Sequence, residues 1–201
     1  MKRLLSLLLV GVLVITLTCC GEQQSPTETA EIFLDSLKTI DLDTTASVYD
    51  SSSSENFLPE VNDKTEKIIN RVKKGEIFKL FKFDYKIVDE HREGDKATVD
   101  IQVNTYDLES AFASFMDKFI PYALTSQYSQ LSKDDKLMEL INFADKEAAK
   151  VKTKDFTNSA TLELVKADGQ WKVTNVDENS DFIHAISGGL SDLVTELSNI
   201  L

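Results

Sequence analysis

Two stretches of the sequence alternate between apolar and polar residues, the period of a β-strand with one buried face. In the first stretch the turn Glu93-Gly94-Asp95 separates two runs, whose apolar positions are Phe81, Phe83, Tyr85, Ile87, Ala97, Val99, Ile101 and Val103. In the second stretch the turn Asp168-Gly169 separates two shorter runs, whose apolar positions are Ala160, Leu162, Leu164, Trp171 and Val173. Each stretch predicts an antiparallel hairpin, so the chain is expected to build a four-strand sheet with one buried face.

The segment before the first hairpin has the 3.6-residue period of amphipathic helices. Ser25-Pro26-Thr27-Glu28 predicts a helix start, since a serine cap, a proline at the first helical position and a capping-box glutamate follow in order. Asp41 is predicted to cap a second, short helix. A third helix is predicted from about Glu60 to Lys74, with Gly75 placed to end it.

The segment between the two hairpins predicts a helical insertion, residues 107–152. Pro121 is expected to kink or end its first helix, and Ser132-Lys133-Asp134-Asp135 to open its second. The chain after the second hairpin predicts one more helix, with Gly188-Gly189 as a weak point and with apolar positions at Ile183, Ile186, Leu190, Leu193, Leu197 and Leu201. The predicted fold class is α+β: N-terminal helices packed on a curved four-strand antiparallel sheet, a helical insertion between two hairpins, and a C-terminal helix.

The first twenty residues have the pattern of a secretion signal. Two basic residues precede an apolar run from Leu4 to Leu17, which is shorter than the ~20 residues of a membrane span. The run ends in Leu17-Thr18-Cys19-Cys20, which resembles a lipobox, in which a cysteine that follows small residues is acylated. We expect residues 1–19 to be a lipoprotein signal peptide, Cys20 to carry the lipid, residues 20–24 to form a tether, and residues 25–201 to form a single cone-like α+β domain.

Modification of Cys19 instead is the alternative, but it would place Thr16 at the position that favours leucine. A disulfide between adjacent cysteines is strained, and two adjacent thiols with two distant histidines make a poor metal site. No metal or other cofactor is therefore predicted. Without a disulfide framework, the stability of the mature domain is expected to come from its core.

The net charge of the chain is −12, and removal of Lys2 and Arg3 with the signal makes it −14. Such a domain is repelled by nucleic-acid phosphates. The predicted partners are the membrane, through a lipid anchor at Cys20 on the extracytoplasmic face, and an unidentified small ligand or protein.

Two ends of the mature chain resemble a family. They are residues 25–38 with 40–43, and residues 168–173 with 182–190, where a glycine turn precedes a tryptophan strand and a terminal helix. These segments are similar to those of uncharacterised surface lipoproteins of Gram-positive bacteria, with a cone fold of the nuclear-transport-factor-2 or cystatin-like type. The resemblance implies a curved sheet around a pocket and lends little function. The insertion at residues 107–152 departs from the minimal cone and could cover its mouth.

Some enzymes of the cone fold use an Asp or His in the cone as a general base. Here His91 is expected to be exposed beside a turn, and His184 to pack at the edge of a helix. Asp84 and Asp100 are expected to be solvated or to face the inserted helices. The acidic residues Asp134, Asp135 and Glu147 could attract a cation or a basic partner, although a solvated helix face is the favoured interpretation. The aromatic residues that either fill the core, the favoured interpretation, or line a pocket are Phe81, Phe83, Tyr85, Tyr106, Phe112, Phe115, Phe119, Tyr122 and Trp171.

Three functional hypotheses remain open from the sequence. The favoured one is a non-catalytic module that binds a small ligand or a protein at the cell surface. The second is an enzyme of the isomerase or dehydratase kind with a buried acid or base. The third is a structural envelope protein with a filled cone and an exposed apolar patch.

Overall fold

The computed structural model describes residues 24–52, 62–177 and 180–191. The predicted signal peptide, Cys20 and the positions Leu193, Leu197 and Leu201 lie outside these residues. Within them, no helix combines the length and the apolar character needed to span a bilayer.

The four strands pair in sequence order as an antiparallel meander, which confirms the two predicted hairpins. The strands are β1 (Asp84–Glu93), β2 (Lys96–Thr105), β3 (Phe156–Ala167) and β4 (Gln170–Thr174). The alternation places one face in the core: Val99 lies opposite Leu162, and both are buried. A β-bulge between Ile87 and Asp89 interrupts the register of β1 and leaves Val88 exposed.

Phe81 does not belong to the first strand, contrary to the sequence-based expectation. It ends a 3-10 helix, Glu76–Phe81, and is 47% exposed. The amide of Lys82 donates to the carbonyl of Lys79 at 3.0 Å and closes the last turn of this helix. The strand therefore begins at Asp84, and Phe83 is the first aromatic of this region in the core.

The expected cone is not confirmed, because the sheet does not close. The described strands follow the order β1-β2-β3-β4, so β1 and β4 form its two edges. Tyr49 forms an isolated parallel bridge to Val173 on β4. The α+β class with its sheet, helices and insertion is as predicted.

Two N-terminal helices, α1 (Pro26–Thr39) and α2 (Leu42–Val48), begin where the capping signals predict. The amide of Glu28 donates to the Ser25 hydroxyl at 3.1 Å, and the Ser25 amide donates to the Glu28 carboxylate at 2.7 Å. This reciprocal pair is the predicted capping box. The Phe33 ring of α1, fully buried, lies 5.7 Å from the Phe182 ring, so α1 and the C-terminal helix share one core.

The third helix, α3 (Asp63–Lys73), is followed by Gly75 at the start of the 3-10 helix. A Cβ atom at Gly75 would lie 2.2 Å from the carboxylate of Asp145. That carboxylate accepts a hydrogen bond from the Ile77 amide at 2.9 Å. Gly75 therefore ends the helical segment as predicted and also admits a side chain from the insertion.

The insertion contains α4 (Leu108–Ala123), a short α5 (Ser126–Ser129) and α6 (Lys133–Ala148). Pro121 stands in the last turn of α4, which ends two residues later, and Ser132 caps α6 through the Asp135 amide. Among the described elements, α4 packs on α6, and α6 packs on the 3-10 helix. The insertion thus forms a helical layer beside the 3-10 helix.

The C-terminal helix, α7 (Asp181–Ile186), ends just before Gly188-Gly189, where both glycines have positive φ. The predicted weak point is therefore a helix end. The Gly188 carbonyl accepts hydrogen bonds from the amides of Leu108 and Glu109 at 3.1 and 3.3 Å. This turn fixes the C-terminal region to the first turn of α4.

Candidate functional site

An apolar groove of about 540 Å³ lies between the 3-10 helix, α4 and α6, with Leu190 also on its wall. Its volume falls in the range of small-molecule sites, which span about 300–1,000 Å³. The aromatic part of its lining consists of Phe81, Phe112, Phe115 and Phe119. Apolar side chains from α4, α6 and the 3-10 helix complete the walls.

The spacing of aromatic residues along α4 builds one wall. Residues 112, 115 and 119 follow at intervals of three and four, which places them on one face of the helix. The Phe115 and Phe119 rings stack at 5.2 Å, and Phe143 of α6 meets both edge-on, at 5.8 and 5.5 Å. These ring contacts pack α4 against α6 behind the groove.

Glu147 is the one charged residue among the described lining residues. Its carboxylate accepts a hydrogen bond from the Lys118 ammonium at 2.6 Å and another from Lys150, and the side chain is 11% exposed. The hydrogen bonds from Lys118 and Lys150 hold the pKa of Glu147 below its usual range. Because the carboxylate is already paired, the groove offers a ligand mainly apolar surface.

The nine aromatic residues singled out from the sequence do not form one pocket. Four of them line the groove, whereas Phe83 and Trp171 are buried in the core of the sheet. Tyr106 lies beside the ammonium of Lys154, and Tyr122 packs near the Phe143 ring. The core interpretation therefore holds for Phe83 and Trp171, whereas the pocket interpretation holds for the four residues that line the groove.

Tyr85 lies at the edge strand, where its hydroxyl donates to the Asp35 carboxylate of α1 at 3.2 Å. Burial raises the pKa of Tyr85 to about 12, and the negative charge and hydrogen bond of Asp35 and the charge of Glu31 add to this effect. The phenol therefore stays protonated at neutral pH and links β1 to α1.

The candidate acids and bases are not brought together. His91 lies on the exposed face of the sheet, and His184 packs against the Phe156 ring at 5.6 Å on the covered face. Asp84 pairs with Lys154 at 2.9 Å, and Asp100 accepts a hydrogen bond from Thr161 at 2.6 Å; both aspartates are exposed. This geometry gives no general acid–base pair in a cleft.

The candidate cation-binding carboxylates are also separate. Asp134 and Asp135 are exposed at the start of α6, where Asp135 accepts a hydrogen bond from Ser132. Glu147 pairs with lysines at the other end of the same helix. In the described part of the chain, no three His, Cys, Asp or Glu side chains are grouped so as to hold a metal ion.

The sequence did not predict that a groove forms between these helices, although the four aromatic residues of its lining were named. Nor did it predict the contributions of Leu80 from the 3-10 helix and of Leu140 and Ala144 from α6. The signal for the α6 wall was present in the 3.6-residue period, since Leu140 and Ala144 lie four residues apart. The period alone does not tell which helix lies opposite.

Comparisons with known proteins give little further information. No protein-family model matches the chain, and no curated protein matches it. Among solved structures, a Bacillus subtilis protein described as a candidate lipoprotein, ycdA, is similar, with 19% sequence identity and a TM-score of 0.38. The match covers 84% of this chain and 47% of that one, so the chain spans about half the length of the structure that it matches. A likeness this weak transfers neither family nor function.

Proposed function

We propose that the protein is a lipid-anchored extracytoplasmic protein that binds an apolar ligand in the groove between the 3-10 helix, α4 and α6. The anchor rests on the sequence pattern that ends in Cys20. The ligand site rests on one observation, a groove of about 540 Å³ whose lining is apolar except for the paired Glu147.

The lining defines the chemistry of the ligand. Burial of hydrocarbon against an apolar wall is favourable by about 25 cal/mol per Å² of apolar surface. Such a wall offers no hydrogen-bond or ion-pair partner to a charged group. A neutral ring system or the hydrocarbon part of an amphipathic molecule fits this surface. The described residues offer no acid–base pair beside the groove, so the proposal is binding without catalysis.

Binding is tested with N-phenyl-1-naphthylamine, a neutral apolar dye that fluoresces strongly when it leaves water. The protein is the chain from Glu22 onward, produced without the anchor. Phe81→Glu places a charge at the exposed rim of the groove and is expected to weaken dye binding at least tenfold. Val88→Glu is the matched control, because Val88 is also exposed but lies at the bulge of β1. Equal affinities of the two variants, or no binding by the parent chain, would contradict the proposed site.

The anchor is tested by metabolic labelling of the precursor with a radioactive fatty acid. Cys20→Ala is expected to abolish labelling and leave the precursor uncut, whereas Cys19→Ala should still be labelled and cut. Labelling that survives in Cys20→Ala and disappears in Cys19→Ala would move the anchor to Cys19. Labelling in neither the parent nor Cys19→Ala would overturn the lipoprotein assignment.

A further inference from the structure

The 3-10 helix that forms one wall of the groove has no capping side chain of its own. Its N-cap position is Gly75, which has no side chain that could accept a hydrogen bond from the first amides. The carboxylate of Asp145, on α6, accepts a hydrogen bond from the Ile77 amide at 2.9 Å. Ile77 is the second residue of the 3-10 helix, so Asp145 supplies from another helix the bond that an N-cap side chain would make.

The glycine makes room for this cap. A Cβ atom at Gly75 would lie 2.2 Å from a carboxylate oxygen of Asp145, closer than the two atoms can approach. The preceding helix, α3, is attached to α6 nearby, because the Arg71 guanidinium donates to the side-chain oxygen of Asn142 at 2.8 Å. Asn142 and Asp145 are three residues apart and share one face of α6. This face therefore holds both the end of α3 and the start of the 3-10 helix.

The cap joins two walls of the groove. Ile77 itself lines the groove, and Ala144, the neighbour of Asp145 in the chain, lines it from α6. Beyond the other end of the 3-10 helix, Phe83 is buried in the core of the sheet and fixes the chain there. Because a 3-10 helix has poorer hydrogen-bond geometry than an α-helix, the position of this wall depends on such contacts outside it.

We propose that Asp145 is a positioning residue that sets the distance between the 3-10 helix and α6, and with it the size of the apolar ligand that the groove accepts. The positioning follows from the hydrogen bond to Ile77 and the close approach at Gly75. The selection by size rests on the proposed function of the groove. Without the carboxylate, the start of the wall moves away from α6 while Phe83 holds its end, so the groove widens.

Hydrogen exchange of the Ile77 amide, followed by NMR on the same anchor-free chain, tests the cap without any ligand. Asp145→Ala leaves this partly buried amide without its acceptor, and we expect it to exchange about tenfold faster or more. Asp145→Asn keeps an acceptor oxygen and should exchange nearly as slowly as the parent chain. Asp134→Ala is the matched control, because Asp134 is an exposed carboxylate in the first turn of the same helix.

Two results would overturn the cap. One is equal exchange of the Ile77 amide in Asp145→Ala and Asp134→Ala. The other is an acceleration in β2 and β3 as large as that at Ile77, because the effect of Asp145 would then not be confined to the wall. Both results leave the proposed ligand site intact, because the exchange experiment contains no ligand.

Selection by size is tested with two neutral dyes, N-phenyl-1-naphthylamine and the larger Nile red. Asp145→Ala should shift the ratio of the two affinities toward Nile red by roughly fivefold or more, because the wider groove disfavours the small dye and admits the large one. Asp145→Asn and Asp134→Ala should keep the ratio of the parent chain. General destabilisation would weaken both dyes alike and leave the ratio unchanged.

An unchanged ratio together with faster exchange of Ile77 would overturn selection by size and leave the cap. No binding of either dye by the parent chain would overturn the proposed function, and selection by size with it. The exchange result would still report whether Asp145 holds the wall.

Discussion

The side chain of Glu147 lines the groove, and its carboxylate accepts hydrogen bonds from two lysines in different parts of the chain. Lys118 belongs to α4, and Lys150 follows the end of α6. The Lys118 pair therefore links the two helices that form the groove walls. Both lysines are well exposed, so solvent screens the pairs and each contributes only modestly to stability.

The lowered pKa of Glu147 makes its contribution depend on pH. The stabilisation is fully present above the unfolded-state pKa near 4.5 and is lost as the pH falls through the lower folded-state value. We therefore expect Glu147→Gln to reduce the free energy of unfolding by up to about 1 kcal/mol at pH 7 and by less at pH 3. Urea unfolding at both pH values measures this difference.

The control for this prediction is Glu93→Gln, which removes a carboxylate at the exposed end of β1. Its effect at pH 7 should be smaller than that of Glu147→Gln. A loss of stability in Glu147→Gln that is as large at pH 3 as at pH 7 would show that the carboxylate acts through shape and not through charge.

The connection between α7 and α4 shows how one turn positions whole elements. The carbonyl of Gly188 satisfies two amides of the first turn of α4, which otherwise lack partners within the helix. The Asp107 side chain adds a third bond, to the Ser110 amide at 2.9 Å. The start of the insertion is thus tied to the end of the described chain.

Two alanine substitutions separate backbone strain from the close approach. Gly94 and Gly188 have nearly equal positive φ, 63° and 55°, but a Cβ atom at Gly94 would meet nothing within 4 Å. We expect Gly94→Ala to cost about 1–2 kcal/mol and Gly188→Ala to cost roughly 3 kcal/mol or more. Urea unfolding measures both, and equal losses would contradict the tight seating of Gly188 against Tyr106.

At the scale of the whole molecule, the described residues form two packed regions. The sheet, α1 and α7 share a core in which Phe33, Val99 and Leu162 are almost fully buried. The helical layer contains its own cluster of rings, in which Phe115 and Phe119 remain 9% and 8% exposed. Among the described residues, fewer fully buried side chains support the helical layer, so its local stability should be lower.

Hydrogen exchange tests this difference in local stability. We expect the amides in the interior of α4 and α6 to exchange at least tenfold faster than those of β2 and β3, because local opening of the helical layer exposes less apolar surface. Phe143→Ala should accelerate exchange in α4 and α6 and leave β2 and β3 unchanged. A uniform acceleration across both regions would show that they open as one cooperative unit.

The local signals in the sequence predicted the elements well. The capping box at Ser25 and Glu28 involves neighbours in the chain, so its hydrogen bonds can be inferred from spacing alone. The hairpin turns at Gly94 and Asp168 follow from local backbone preferences in the same way. The alternation of apolar and polar residues along the strands fixes which face of the sheet is buried, because a register shift by one residue would turn the apolar side chains to the other face.

The candidate site could be predicted only in part. Phe81 and Phe83 are separated by one residue and have the same chemistry, yet Phe81 stands at the rim of the groove and Phe83 in the sheet core. The end of the 3-10 helix divides them, and no feature of the alternating pattern marks that end. The expected cone was not confirmed for a similar reason, since closure of a sheet depends on how its edges meet.

The sequence by itself determined the α+β class, the two hairpins, the capped helices and the pattern at Cys20, because each depends on residues close together in the chain. The tertiary structure decided which aromatic residues share the groove, that Glu147 is paired there, and that Gly188 seats the C-terminal turn on α4. These contacts join residues far apart in sequence, so they depend on packing between elements, which no local period encodes.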